Sequence, residues 1–260
     1  SALVHEGRVL HLTAYGRPPG RRADATSLIR AGVMRCEAGP VFDRRPEPLA
    51  RDRVRLEDRI EGMLLGQILG DALGNTSEGM TPAPRRGVHG EIRDYLPSRH
   101  AHGRRVGLPS DDTQLAFRTL RRLVADGTAD PEAIARELCS GRIFGIGQTV
   151  TAFIRALRDE GRPWYEAGQP SAGNGALMRI APVLLPHVAT PSPALWDDAA
   201  TVSMITHNDP AAIGSSVAFV DVLWQLLSHA HPPPRGWWLD TFVHTLRDVE
   251  GDGPRYSPRA

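Results

Sequence analysis

From Arg51 onward the chain repeats its apolar positions with the period of a helix. Leu56, Ile60, Met63, Leu64, Ile68 and Leu69 recur at spacings of three and four, which puts them on one stripe of an α-helix. The same periodicity predicts helices at 111–126, 131–139, 148–160, 175–185, 194–206 and 210–229, separated by Gly- and Pro-rich loops. No set of alternating strands follows residue 50, and no internal repeat is present, so the pattern predicts an all-α domain over 51–260. Residues 1–50 have another texture: Gly16-Arg17-Pro18-Pro19-Gly20, Gly39-Pro40 and Pro46-Glu47-Pro48 surround one β-like run, Val9 to Tyr15. They predict a loop-rich extension or linker with a small hairpin.

Within the first long helix Gly62, Gly66, Gly70 and Gly74 recur every fourth residue. They share a face and leave a groove without side chains. Each glycine costs about 1 kcal/mol of helix stability against alanine, so four in a row imply a close-packed neighbour or a ligand near the surface.

Composition narrows the class. The hydrophobic content of 41% is enough for a core, and the apolar stretches at Met63 to Leu69 and Val217 to Leu227 are too short or too interrupted to cross a bilayer. With no basic-then-apolar leader, the expected location is cytoplasmic. All 31 basic residues are arginine, a bias in keeping with a GC-rich gene, yet 30 acids balance them. Arginine pairs such as Arg85-Arg86 and Arg104-Arg105 therefore read as solvated surface, and the lack of an aromatic-basic platform argues against nucleic acid as a partner. Cys36 and Cys139 lie far apart in no ligand spacing and are ordinary thiols.

Several oxygen-rich segments could carry chemistry. Ser110-Asp111-Asp112-Thr113 opens the amphipathic helix of Leu115, Ala116, Leu120 and Leu123. A serine N-cap followed by acids that favour the positive helix end is a sufficient structural reading. The functional alternative is a hard-cation site, since adjacent helical carboxylates project about 100° apart and can face different metals. Upstream, Asp71 lies inside a helix and is expected to hydrogen-bond nearby backbone, whereas Glu78, in the loop beyond, can swing onto a metal. Gly145-Ile146-Gly147 and Ser171-Ala172-Gly173-Asn174-Gly175 are small-residue loops running into helices, suited to plain turns or to a phosphate. His207 precedes the helix that Asp209 caps and Pro210 starts. A lone histidine there is more often structural than catalytic, and no zinc spacing accompanies it.

Taken in order, Gly66-x3-Gly70-Asp71-Ala72-Leu73-Gly74 with Glu78, Ser110-Asp111-Asp112-Thr113, Gly145-Ile146-Gly147, Ser171-Ala172-Gly173-Asn174-Gly175-Ala176-x-Met178-Arg179 and Thr206-His207 resemble the ADP-ribosylglycohydrolase family. The resemblance implies a compact orthogonal helical bundle and a binuclear Mg2+ centre, with Mn2+ as a substitute. It implies Glu78, Ser110, Asp111 and Asp112 as metal ligands, and Glu78, Asp111 or Asp112 as the carboxylate that handles the water proton. Gly145, Gly147, Ser171, Gly173, Asn174, Gly175, Met178 and His207 match the ADP-ribose-contacting segments. The implied activity is hydrolysis of the glycosidic bond between ADP-ribose and a modified protein side chain. The alternative is an inactive ADP-ribose-binding or structural member. One departure stands out: the family carries a C-terminal Asp-x-Asp-Thr/Ser ligand group, and Asp248 and Asp252 have the wrong spacing for it. The fold is therefore expected to lack its C-terminal third, and a further segment or a second chain to supply the remaining ligands.

Overall fold

The computed structural model describes residues 3–5, 8–10, 24–49 and 53–250. Two short strands, β1 (Leu3–His5) and β2 (Arg8–Leu10), pair antiparallel with Val4 opposite Val9. The rest of the predicted β-like run, from His11 to Tyr15, falls outside the described residues. All other named elements are helical: α1 (Ala25–Arg30), α2 (Arg53–Gly74), α3 (Pro82–His89), α4 (Asp111–Asp126), α5 (Pro131–Leu138), α6 (Gln148–Ile154), α7 (Trp164–Ala167), α8 (Ala194–Met204), α9 (Pro210–Leu226) and α10 (Arg235–Glu250).

The best-defined helices have chemical ends. Ser110 caps α4 by accepting from the Asp112 amide, and Gly127, at φ +67°, closes it in the left-handed conformation. Asp130 caps α5 with Pro131 at its first position, and Asp209 with Pro210 does the same for α9. Leu115, Leu120 and Leu123 of α4 meet Ile134 and Leu138 of α5 in the core, which continues through α8 and α9 around Trp196, Val202, Ile213 and Val217. At Gly214 the α9 backbone faces Leu246, Val249 and Glu250 of α10, and an added Cβ would stand 2.9 Å from Leu246 Cδ1.

Five regions differ from the sequence reading. Residues 24–49 form a packed strap: Ala25, Met34, Val41 and Phe42 are buried, and fully burying a side chain of Val or Phe size contributes roughly 1.5–3 kcal/mol. The predicted helix over 148–160 is α only to Ile154, then widens into a π turn over Arg155–Asp159. The predicted helix over 175–185 is instead two 3-10 segments, Leu177–Arg179 and Ala181–His187, because Pro182 and Pro186 each remove a backbone donor. Helices α3 and α10 lie where no helix was expected. Pro82 and Pro84 occupy the first turn of α3, where proline is tolerated.

Helix α2 buries one face through Ile60, Leu64 and Ala72, while Leu65 and Leu69 stay 49% and 50% exposed. A Cβ built on Gly62, Gly66, Gly70 or Gly74 would meet nothing within 4 Å. Among the described residues, the close-packed neighbour expected for this stripe is absent, and the stripe is an open face.

Candidate active site

The site is organised by Asp71, near the end of α2. Its Oδ2 accepts from the Ser110 amide at 2.8 Å, the Thr113 amide at 3.2 Å and the Thr113 hydroxyl at 2.6 Å, and its Oδ1 accepts from Ser110 Oγ at 2.7 Å. Asn75, one turn on, donates to Asp71 Oδ1 and to the Leu108 carbonyl. The expected structural role of Asp71 is present, but its backbone partners lie 39 and 42 residues away. It docks the start of α4 on the end of α2 and takes up orphan amides of that helix.

The docking brings Glu78, Ser110 and Asp112 to one hollow of about 510 Å³, floored by Gly70 and Gly74 and edged by Gln67, Arg85 and Met178. Glu78 and Ser110 also border a second hollow of about 410 Å³, walled by Arg99, His100 and Gly145. The two carboxylates at the start of α4 diverge, as their helical spacing requires. Asp112 opens to the larger hollow, while Asp111 is buried against the Gly145–Gly147 loop, its Oδ1 3.1 Å from where a Cβ on Gly145 would sit. Gln114 fixes that loop by accepting from the Phe144 amide and donating to the carbonyls of Pro109 and Phe144.

Electrostatics mark these acids as uncompensated. Burial, then the neighbouring Asp112 and Glu78, push Asp111 up to about 6. Burial, then Asp71 and Glu78, push Asp112 up to about 6. Among the described residues neither carboxylate has an arginine ion-pair partner, and a divalent cation is a counter-charge that such acids accept. In donor type the set suits Mg2+, being all oxygen. It is an open half-shell: among the described residues no group of three or more His, Cys, Asp or Glu stands close enough to enclose an ion.

The small-residue segments assemble beside it. Thr149 and Ser171 share a hydroxyl contact of 3.1 Å, and the Ser171 hydroxyl accepts from the Gly173 amide. The Asn174 carbonyl accepts from the Met178 amide, and Gln67 of α2 donates to the Met178 carbonyl at 2.6 Å. His207 lies under the loop, with Nε2 3.0 Å from a Cβ built on Gly175 and 3.6 Å from one on Gly173. Gly147 stands at the start of α6 and its amide faces Asp111. Asp71, Asn75, Gln67 and Gln114 were not singled out as site residues. Asp71 is legible as a helical acid that bonds backbone, and Asn75, four residues on, as its side-chain partner; nothing in the sequence marks Gln67 or Gln114.

The site is thus an open acidic hollow beside glycine loops, set in a helical fold. The sequence profile of the ADP-ribosylglycohydrolase family matches residues 52–255, and this chain belongs to that family. It is 33% identical over 107 residues to the ADP-ribosyl-[dinitrogen reductase] glycohydrolase of Rhodospirillum rubrum, covering 40% of this chain and 36% of that protein. It is 32% identical over 115 residues to the ADP-ribosylarginine hydrolase Tri1 of Pseudomonas putida, covering 40% and 31%. An uncharacterized protein of Archaeoglobus fulgidus is 34% identical over 147 residues, covering 54% and 47%. A solved structure named "ADP-ribosylglycohydrolase-related protein complex" superposes with a TM-score of 0.58 at 28% identity, over 72% of this chain and 62% of that one. The chain thus spans less than half the length of each curated relative it matches. No helix among the described residues is long and apolar enough to cross a membrane.

Proposed function

We propose that this chain carries the ADP-ribose-binding portion and the first ligand group of a magnesium-dependent ADP-ribosylglycohydrolase that frees a modified protein side chain. The observation that carries the reading is the convergence of Glu78, Ser110 and Asp112 on one hollow, where among the described residues Asp112 has no arginine ion-pair partner. Ser110 Oγ donates its proton to Asp71 and accepts from the Asp112 amide, which leaves one lone pair for a cation. Asp112, whose burial and neighbouring acids favour its protonated form in the metal-free chain, is one carboxylate suited to the water proton once a cation is held. Glu78, on the ridge between the two hollows, and Asp111, behind the Gly145–Gly147 loop, are the other carboxylates suited to the water proton. The Ser171–Gly175 loop and His207 would hold the nucleotide so that its anomeric carbon lies over the acids, and positioning supplies much of the rate in such chemistry. Divalent ions, when bound, orient water and ribose hydroxyls and offset charge as the sugar becomes oxocarbenium-like.

The half-shell calls for further ligands. The bare stripe of α2 ends in that same hollow through Gly70 and Gly74, so a helix laid along it would bring its end to the acids. We assign that place to a C-terminal continuation or a second chain. A solved relative named as a complex is in keeping with the latter.

A second reading, ADP-ribose binding without hydrolysis, is favoured by the lack of a closed three-ligand group among the described residues. ADP-ribosylated arginine is the first substrate to try, given the relative named for that linkage. Release of ADP-ribose that needs both Mg2+ and the completing segment or chain is the expected outcome, and full turnover by this chain alone would contradict the half-shell. Metal-independent ADP-ribose binding in calorimetry with no release under any metal supports the second reading instead.

A further inference from the structure

Arg179 is fully buried, and burial alone pulls its guanidinium down to about 9. No carboxylate pairs with it among the described residues. Its Nη2 donates to the Val202 carbonyl and to Thr206 Oγ1, both at 2.8 Å, and its Nε and Nη1 have no hydrogen-bond partner among the described residues. A cation placed this deep without a counter-ion costs several kcal/mol, which asks what it serves.

The answer lies along the hydrogen bonds. Arginine only donates, so the Thr206 hydroxyl accepts from it. Thr206 is itself fully buried, and its other partner is His207 Nδ1, at 2.9 Å. A buried hydroxyl proton without an acceptor is costly, so it goes to Nδ1, and the neutral ring must carry its hydrogen on Nε2. That edge has no protein acceptor among the described residues and faces bare glycine backbone: a Cβ on Gly175 would lie 2.7 Å from Cε1 and 3.0 Å from Nε2. Burial, then the Arg179 charge, hold His207 down at about 4, so the ring is neutral at physiological pH.

We infer that the buried Arg179–Thr206 pair is a positioning device that fixes His207 as a neutral donor through Nε2–H, reserved for a phosphate oxygen of the nucleotide in the Ser171–Gly175 loop. His207 is then an anchor, not a proton-transfer group. The uncompensated Arg179 charge, two hydrogen bonds behind it, favours an anionic acceptor over a neutral one. This inference rests on the ADP-ribose reading above as far as the ligand is concerned. The tautomer itself does not depend on that reading.

The full chain, labelled with 15N-histidine, gives the test by long-range 1H–15N correlation at neutral pH. The expected spectrum shows His207 with an unprotonated Nδ1 and a protonated Nε2. Protonation at Nδ1, or an imidazolium, overturns the inference whatever the ligand proves to be. Thr206→Val should mix the tautomers and weaken ADP-ribose binding about tenfold, the worth of one charge-assisted hydrogen bond, while leaving adenosine binding unchanged. Thr206→Ser should restore both readouts. An unchanged tautomer or unchanged ADP-ribose affinity in Thr206→Val contradicts the device. Should Thr206→Val fail to fold, the wild-type spectrum and Thr206→Ser still decide. A wild-type chain that shows the expected tautomer but binds no ADP-ribose sinks the functional reading and the phosphate assignment, and leaves the tautomer relay standing.

Discussion

The strap side of the molecule and the α2 side answer burial in opposite ways. Across α8 and α9, residues 24–49 are tied down by partners far along the chain. Asn208 donates to the Val33 carbonyl and accepts from the Arg35 amide, and the indoles of Trp196 and Trp224 donate to the carbonyls of Arg44 and Glu47. On α2, Leu65, Leu69 and the four glycines face open space. The contrast teaches where the site is finished. The loop and histidine proposed to grip the nucleotide sit on the closed side, with Asn208 adjoining His207. The acids proposed to do the chemistry sit at the end of the open one.

The largest expected effect falls on Asp112. Asp112→Asn should lower any Mg2+-dependent release of ADP-ribose by at least about 100-fold, as loss of a metal-orienting carboxylate does. The same change should stabilise the metal-free chain by about 1 kcal/mol above pH 6, allowing for solvent screening. The sign follows from a raised carboxylate: the folded chain resists ionising Asp112, so stability falls as pH rises from 3.8 to about 6. The gain should vanish below pH 4 in thermal melts. A variant that loses activity and stability together would mean that Asp112 is structural.

Asp71→Ala comes next. It strips four donors on Ser110 and Thr113 of their acceptor, and urea unfolding should show a loss of about 3 kcal/mol. On the closed side, Asn208→Ala should cost about 2 kcal/mol and expose Val33 to Glu37 to hydrogen exchange. Unchanged protection there would mean that the strap holds without its clasp. Smallest is Gly66→Ala, which should stabilise the chain by about 0.5–1 kcal/mol through helix propensity alone. Destabilisation would show that the stripe is already covered.

Local chemistry was the legible part of this fold. The start of α4 could be read from Ser110 and its end from Gly127, and α9 from Asp209-Pro210, because caps act within a few residues. Helix α3 escaped because Pro82-Ala83-Pro84 reads as a loop until the first-turn tolerance for proline is applied. The strap escaped because its burial depends on Asn208, Trp196 and Trp224, which lie 152 to 177 residues away. In the site, the divergence of Asp111 and Asp112 followed from helix geometry, whereas the Asp71 clamp and the Arg179–Thr206–His207 chain join separate elements that no periodicity links.

The account stands on Glu78, Ser110 and Asp112 acting as one oxygen site for divalent cations. Mn2+ binding to the full chain, followed by electron paramagnetic resonance at pH 7.5, tests this most directly. The wild type should show a saturable site that weakens as pH falls below about 6, where Asp112 takes up its proton, and Glu78→Gln with Asp112→Asn should abolish it. Equal Mn2+ binding by the wild type and the double variant would contradict the account.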